Sequence, residues 1–147
     1  MRHILAFAVL ALAVSGFARA DEVGQIKVAQ GTVHVERDGK RMPAAVGMAI
    51  HQSDTLITGA DGKVGVTFSD NSLLSTGPNS VLVVDRYTFD TTTHSGRFDA
   101  SLKKGTLAVV SGRMVKQSPG AMRVRTPAAI MGVRGTEFVV QVDEPAK

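Results

Sequence analysis

Hydrophobic and polar positions alternate with a period of two along most of the chain, and glycine marks the breaks. In residues 31–36, GTVHVE, the apolar Val33 and Val35 alternate with Thr32, His34 and Glu36, the pattern of a strand with one buried face. Asp38-Gly39 then reads as a turn. After a second turn signal at Asp61-Gly62, Val64, Val66 and Phe68 alternate with Lys63, Gly65, Thr67 and Ser69 in the same way. Further strands are expected at 80–85, 106–110, 122–125 and 137–142. Turn signals recur at Gly47, Gly59, Asp70-Asn71, Gly77-Pro78, Gly96, Gly105, Gly112 and Gly120, about the 8 to 12 residue rhythm of an all-β protein. No stretch after residue 20 has the 3.6-residue period of an amphipathic helix.

A faint internal repeat bears on the architecture. Gly-Thr opens a strand three times, as GTVHV at 31, GTLAV at 105 and GTEFV at 135. The spacings are unequal, which excludes a regular array of fixed period. The expected fold is all-β, a single domain of short strands forming an irregular β-solenoid-like roll, with a two-sheet β-sandwich as the alternative.

The N-terminus changes the picture from pattern to compartment. A short basic start, Met1-Arg2-His3, precedes an apolar run over 4–14, and Ala18-Arg19-Ala20 places small residues before Asp21. That is the order of a secretory signal peptide over residues 1–20. Its apolar run falls well short of the ~20 residues that span a bilayer as a helix. The expectation is a single β domain over 21–147, periplasmic or secreted, with no integral membrane segment after cleavage. Cysteine is absent, which removes disulfides, a lipidated cysteine and thiol chemistry together.

Charge adds little in bulk and something in distribution. The leader holds Arg2 and Arg19, leaving 15 Lys and Arg against 13 Asp and Glu. From residue 100 to 136, however, Lys103, Lys104, Arg113, Lys116, Arg123, Arg125 and Arg134 occur with no acid. The first six form a candidate basic contact surface, although such residues often only face water or opposite charges, where exposed pairs contribute ~0 to 1 kcal/mol. An exported chain with one tyrosine, no tryptophan and no reader motif is not expected to bind nucleic acid.

Catalytic motifs are missing. The sequence holds no phosphate loop, no G-x-S-x-G elbow and no H-E-x-x-H, so no catalytic residue, metal site or cofactor is assigned. His34, His51 and His94 stand isolated from one another. Asp54, Asp70, Asp85 and Asp99 lie beside turns or strand ends, where an aspartate side chain bonds nearby backbone amides. Turn-making is the expected role of all four.

The most distinctive segment is TPAAIMGVRGTEFVVQV, residues 126–142. Thr126 before Pro127 is driven extended and Pro127 fixes its own φ. Gly132 and Gly135 flank Val133 and Arg134, whose five-donor guanidinium is expected to be held by carbonyls or a carboxylate in a structural role. Phe138, Val140 and Val142 then face one way and Glu137, Val139 and Gln141 the other.

Here the sequence resembles the FecR-domain family. RTPAAIMGVRGTEFVV, residues 125–140, is similar to the family's most distinctive motif: Thr-Pro, a small-residue spacer, then Val-Arg-Gly-Thr-x-Phe. Its residues here are Thr126, Pro127, Gly132, Val133, Arg134, Gly135, Thr136 and Phe138. Upstream, the stretch from 31 to 80 and GTLAVVSG at 105–112 resemble the family's earlier strands and turns. Two departures stand out: Ser53-Asp54 where the family has Gly-Asp, and Asp70-Asn71-Ser72 where it has Asp-Gly-Ser. Asparagine tolerates the left-handed region best after glycine, so the second turn is expected to survive. At Ser53 either the turn needs no positive φ or it is locally different.

The resemblance implies an exported, non-enzymatic module. Family members are commonly anti-sigma regulators whose periplasmic FecR domain receives a signal from an outer-membrane receptor. This chain matches only that periplasmic part, and stand-alone FecR domains look like binding or scaffolding modules. The expected partner is a protein of the cell envelope, contacted through strand edges and the basic segment, with a carbohydrate or peptidoglycan association as the alternative.

Overall fold

The structure, a computed structural model, describes residues 22–143. The signal-peptide reading of residues 1–20 lies outside them. Twelve strands and one short helix follow in chain order. The first seven strands are β1 (Glu22–Gln30), β2 (Val33–Arg37), β3 (Lys40–Pro43), β4 (Ala49–His51), β5 (Thr55–Thr58), β6 (Lys63–Phe68) and β7 (Leu73–Thr76). Then come β8 (Val81–Phe89), β9 (Gly96–Val110), α1 (Arg113–Gln117), β10 (Met122–Arg125), β11 (Ile130–Gly132) and β12 (Glu137–Val142).

All strands join one continuous curled sheet, and every pairing is antiparallel except β10 beside β9. The all-β expectation is borne out, and the roll is irregular, as the unequal repeat spacings implied. β9 organises it. Its first half pairs with β8 on one edge and β10 on the other, and its second half with β7 and β12. Gly77 donates its amide to Thr106 O at 3.3 Å, and Thr106 N donates to Ser80 Oγ at 3.0 Å. β7 and β8 therefore follow one another along one edge of β9, which leaves β10 and β12 in succession along the other.

At Gly105 the strand turns a corner. Its φ is 93°, a left-handed value, and a strand that passes from one layer to another bends at such a bulge. The bend brings both ends of β9 to one end of the roll. There Met114 of α1 approaches Gly96, while Ser111 donates its amide to Thr136 O at 2.8 Å. The corner at residues 103–105 lies at the other end.

The core fills the inside of the curl. Val33 and Val35, Val64, Val66 and Phe68, and Phe98, Ala100 and Leu102 all point inward at alternate positions. Phe68, Tyr87 and Phe98 form a ring cluster with centroids 4.6 to 5.4 Å apart, a spacing suited to tilted and edge-on contacts.

Two elements exceed the reading from sequence. The strand expected at 106–110 begins at Gly96, and the one expected at 80–85 runs to Phe89. In β8 two exposed charges in succession, Asp85 and Arg86, break the alternation at a register shift, whereas in β9 Phe98, Ala100 and Leu102 alternate with Asp99, Ser101 and Lys103, a period of two that was legible in the sequence. α1 was not expected; it is a five-residue turn that buries Met114 and Val115, too short to show a helical period.

The two family turns keep their backbone. Asn71 has φ 68°, as expected of asparagine, and Ser53 has φ 75°. The turn at Ser53 thus needs a left-handed residue and holds a serine there, a conformation that costs an ordinary L-residue ~1 to 2 kcal/mol. Ser53 is exposed and donates its amide to Val84 O at 2.7 Å, a bond that glycine would also make. Ser53→Gly is expected to raise stability by about 0.5 to 1 kcal/mol, after allowing for the extra freedom of glycine in the unfolded chain. A thermal melt showing a lower midpoint would refute that account of the turn.

Candidate functional site

All four aspartates weighed for chemistry have hydrogen-bond partners in the fold, and two of them, Asp54 and Asp70, are buried. Asp54 has a side chain 1% exposed and forms a two-pronged pair with Arg37: Nε donates to Oδ1 at 2.8 Å and Nη2 to Oδ2 at 2.7 Å. His51 also donates its amide to Asp54 Oδ2 at 2.8 Å. The guanidinium, bonded to this carboxylate, is held in its charged form above the ordinary arginine range.

Asp70 is the second buried node. Tyr87 donates its hydroxyl to Asp70 Oδ1 at 3.1 Å, Ser72 donates Oγ to Oδ2 at 2.7 Å and its amide to Oδ1 at 3.1 Å. Burial, and then the charge of the Asp70 carboxylate, push the Tyr87 phenol far above its usual range. It stays neutral, as a donor must. Asp99 takes Nε of Arg97 at 2.9 Å on the surface, and Asp85 accepts from Ser101 Oγ. Among the described residues no group of three His, Cys, Asp or Glu is placed to hold a metal ion.

The distinctive C-terminal motif divides into parts that hold and parts that face out. Thr126 Oγ1 accepts the amides of Ala128 and Ala129 at 3.3 and 3.1 Å, and Thr126 N donates to Ala129 O at 2.8 Å. With Pro127 this makes a tight turn joining β10 to β11, whose residues pair Arg123 with Gly132. Val133 is buried and donates its amide to Met122 O at 2.9 Å. Ser111 Oγ donates to Gly135 O at 2.6 Å, and Phe138 packs against the core.

Arg134 departs from expectation. It is exposed and has no hydrogen bond or ion pair within the described residues; Val133 is the side chain this turn buries. Arg134→Ala is accordingly expected to change stability by less than about 0.5 kcal/mol, where a buried charged network would have cost several. A drop of more than about 6 °C in melting temperature would show a held guanidinium after all.

Five of the six basic residues separate into two groups, with Lys104 in neither. Arg113 and Lys116 lie on α1 at the end of the roll beside Gly96. Lys103 is seven strand residues further along β9, roughly 23 Å at 3.3 Å per residue. Lys104 follows at the corner itself, where the pairing with β8 shifts register. Arg123 and Arg125 face outward on β10, opposite Asp99 and Ser101 of β9. Lys103 sits two residues beyond Ser101 and alternates with buried Leu102, so it shares that outward face. The structure therefore gathers Lys103, Arg123 and Arg125, and places Arg113 and Lys116 elsewhere.

Beside those three cations the sheet has a gap. β10 covers β9 as far as Ser101, and β12 covers it from Gly105 onward. Among the described residues, no strand stands opposite Leu102 and Lys103 on that edge. A cleft of ≈ 370 Å³ opens there, lined by Lys103, by Thr126, Pro127 and Ala128 of the turn, and by Gln141 and Val142 of β12, with Asp143 at its rim. Sequence reasoning assigned Thr126 and Pro127 to closure of the domain alone. They also form a wall of this cleft, which only the meeting of two strand ends across β9 creates.

A family model described as FecR protein matches residues 54–147. The chain belongs to the FecR family. The match begins at Asp54, the buried acid of the first turn, and takes in the Asp70 turn, the whole of β9 and the C-terminal motif. Neither a curated protein nor a solved structure matches the chain. No helix of the described FecR domain is long and apolar enough to cross a membrane.

Strand edges are expected contact surfaces, and the FecR domain presents one at β12. Among the described residues β12 pairs only with β9, which leaves its other edge open, and Val139 in its middle is 66% exposed. On the outward face Val139 stands opposite Ala108, which stands opposite Ser75, then Gly65, then Val28. Leu73, opposite Val110, adjoins this row and is exposed. It is an uncharged, small-to-apolar stripe across five strands.

Proposed function

We propose that this FecR domain is a non-enzymatic, exported module that binds a protein partner in the cell envelope, within the regulation of cell-surface signalling. The observation that carries the reading is the open edge of β12 with Val139 exposed at the head of an apolar outward stripe. Unpaired edges and apolar faces are where other chains add. Family membership supports a regulatory rather than a catalytic role. The buried carboxylates Asp54 and Asp70 are saturated by structural bonds, which leaves them unsuited to proton transfer. A glycan partner fits less well, because, of the described rings that could stack on sugars, Phe68, Tyr87 and Phe98 are enclosed in the core, while the half-buried Phe89 and Phe138 pack against it.

The test is capture from envelope extract on immobilised domain, against a charge-matched control protein. Enrichment of a defined protein, lost in Val139→Lys with an unchanged melting temperature, is the expected result. Recovery of glycan alone, with no protein above the control, would overturn the reading.

A further inference from the structure

We infer that the gap in the sheet at the β9 corner is a recognition site for an extended, acidic segment of a partner protein. The inference rests on the protein-binding reading above and names the chemistry of one contact. Three observations carry it. Lys103, Arg123 and Arg125 share one outward face, and within the described residues none of them has a hydrogen-bond or ion-pair partner. The acids nearby are engaged: Asp99 with Arg97, and Asp85 with Ser101. At the rim of the cleft, Asp143 accepts from Gln141 Nε2 at 3.0 Å.

Spacing selects the form of the ligand. Arg123 and Arg125 are two residues apart on one strand, which sets their side chains ~6.6 Å apart, and Lys103 continues the row by a similar step on the adjacent strand. Alternate side chains of another extended chain repeat at the same distance. Carboxylates at every second position of an extended segment therefore meet the three cations in register, whereas acids one after another point to opposite sides.

The cleft supplies the second half of the recognition. Pro127, Ala128 and Val142 give it apolar walls, Lys103 and Gln141 give it donors, and among the described residues the β9 edge facing it has no strand partner at Leu102 and Lys103. An apolar side chain next to the acidic run fits such a lining. Arginine and lysine without local partners also raise association rates for an acidic ligand, in a salt-dependent way.

The experiment uses the chain and a fluorescent eight-residue peptide of alternating Glu and Val, followed by fluorescence polarisation. A second peptide of identical composition carries its glutamates in one block. A polyuronate oligosaccharide provides a glycan of similar charge. The protein is compared with Lys103→Glu/Arg125→Glu, with the milder Lys103→Gln/Arg125→Gln, and with Arg113→Glu/Lys116→Glu at the opposite end, all checked for unchanged melting. The expected result is at least a tenfold loss of affinity for the alternating peptide in the corner charge reversal and a smaller loss in the glutamine pair. Less than a twofold change is expected in the α1 pair, with several-fold weaker binding of the block peptide. Equal losses at both ends, or equal affinity for the two peptides, would overturn the site as mere net-charge attraction. Tighter corner-dependent binding of the polyuronate than of either peptide would overturn the assignment to a protein segment. The two proposals fail separately: a protein captured from envelope extract without any peptide preference overturns the corner alone, and peptide binding without protein capture overturns the reading it rests on.

Discussion

Asp54→Ala is expected to destabilise the domain by about 3 kcal/mol, read as a fall of roughly 10 °C or more in melting temperature. The substitution removes both carboxylate acceptors of the Arg37 fork and leaves the half-buried His51 amide without its carboxylate. An orphaned buried donor alone costs ~1 to 3 kcal/mol. Arg37 is 27% exposed and recovers part of its hydration, which keeps the loss below the upper end for buried pairs. Asp54→Asn retains an acceptor for His51 but not the ionic fork, so it is expected to fall between wild type and Asp54→Ala. In a double-mutant cycle, Arg37→Ala combined with Asp54→Ala is expected to cost clearly less than the two single changes added together. Full additivity in urea titrations would show that the pair does not act as one unit. The same contact explains why an acid stands at this turn: it ties β2 to the β4–β5 connection across 17 residues of chain.

The second large effect separates three copies of the same dipeptide. Gly105→Ala is expected to cost 3 kcal/mol or more, or to yield no folded protein. A methyl there meets the Ser80 backbone, with Cα 2.5 Å away, at a φ of 93° that L-residues avoid. Gly31→Ala meets the Asp61 carbonyl carbon at 2.7 Å, with φ 64°, and is expected to behave alike. Gly135 has φ 101° but nothing within 4 Å of the added carbon. Gly135→Ala should therefore cost only the backbone strain, about 1 to 2 kcal/mol. Thermal melts of the three single variants decide the matter; a Gly105→Ala midpoint within 2 °C of that of Gly135→Ala would contradict the close approach of Ser80 at the corner.

These contrasts show where the sequence stops being informative. GTVHV, GTLAV and GTEFV look alike because each sets a left-handed glycine before an alternating segment, a local requirement carried by adjacent residues, although GTLAV lies within β9 and opens no new strand. The chain that packs on the first two glycines arrives from residues 61 and 80, and nothing within the dipeptide specifies it. Arg134 shows the same limit. Its two flanking glycines suggested a guanidinium held in a turn, yet the turn buries Val133 and turns the arginine to solvent. The six basic residues likewise look continuous in sequence, and the bend of β9 sends them to opposite ends.

By itself the sequence determined the all-β class, the inward faces of β2, β6 and β12, the left-handed turn at Asn71 and the family. Each of these rests on relations between residues a few positions apart: alternation in a pleated strand, the φ preference of one side chain, a contiguous motif. Only the tertiary structure decided that β9 runs unbroken around a corner, that Asp54 and Asp70 are buried anchors, and that Lys103, Arg123 and Arg125 meet beside a gap. Those features depend on which distant strands pair and in what register, and the free energy that selects the pairing is spread over the whole core.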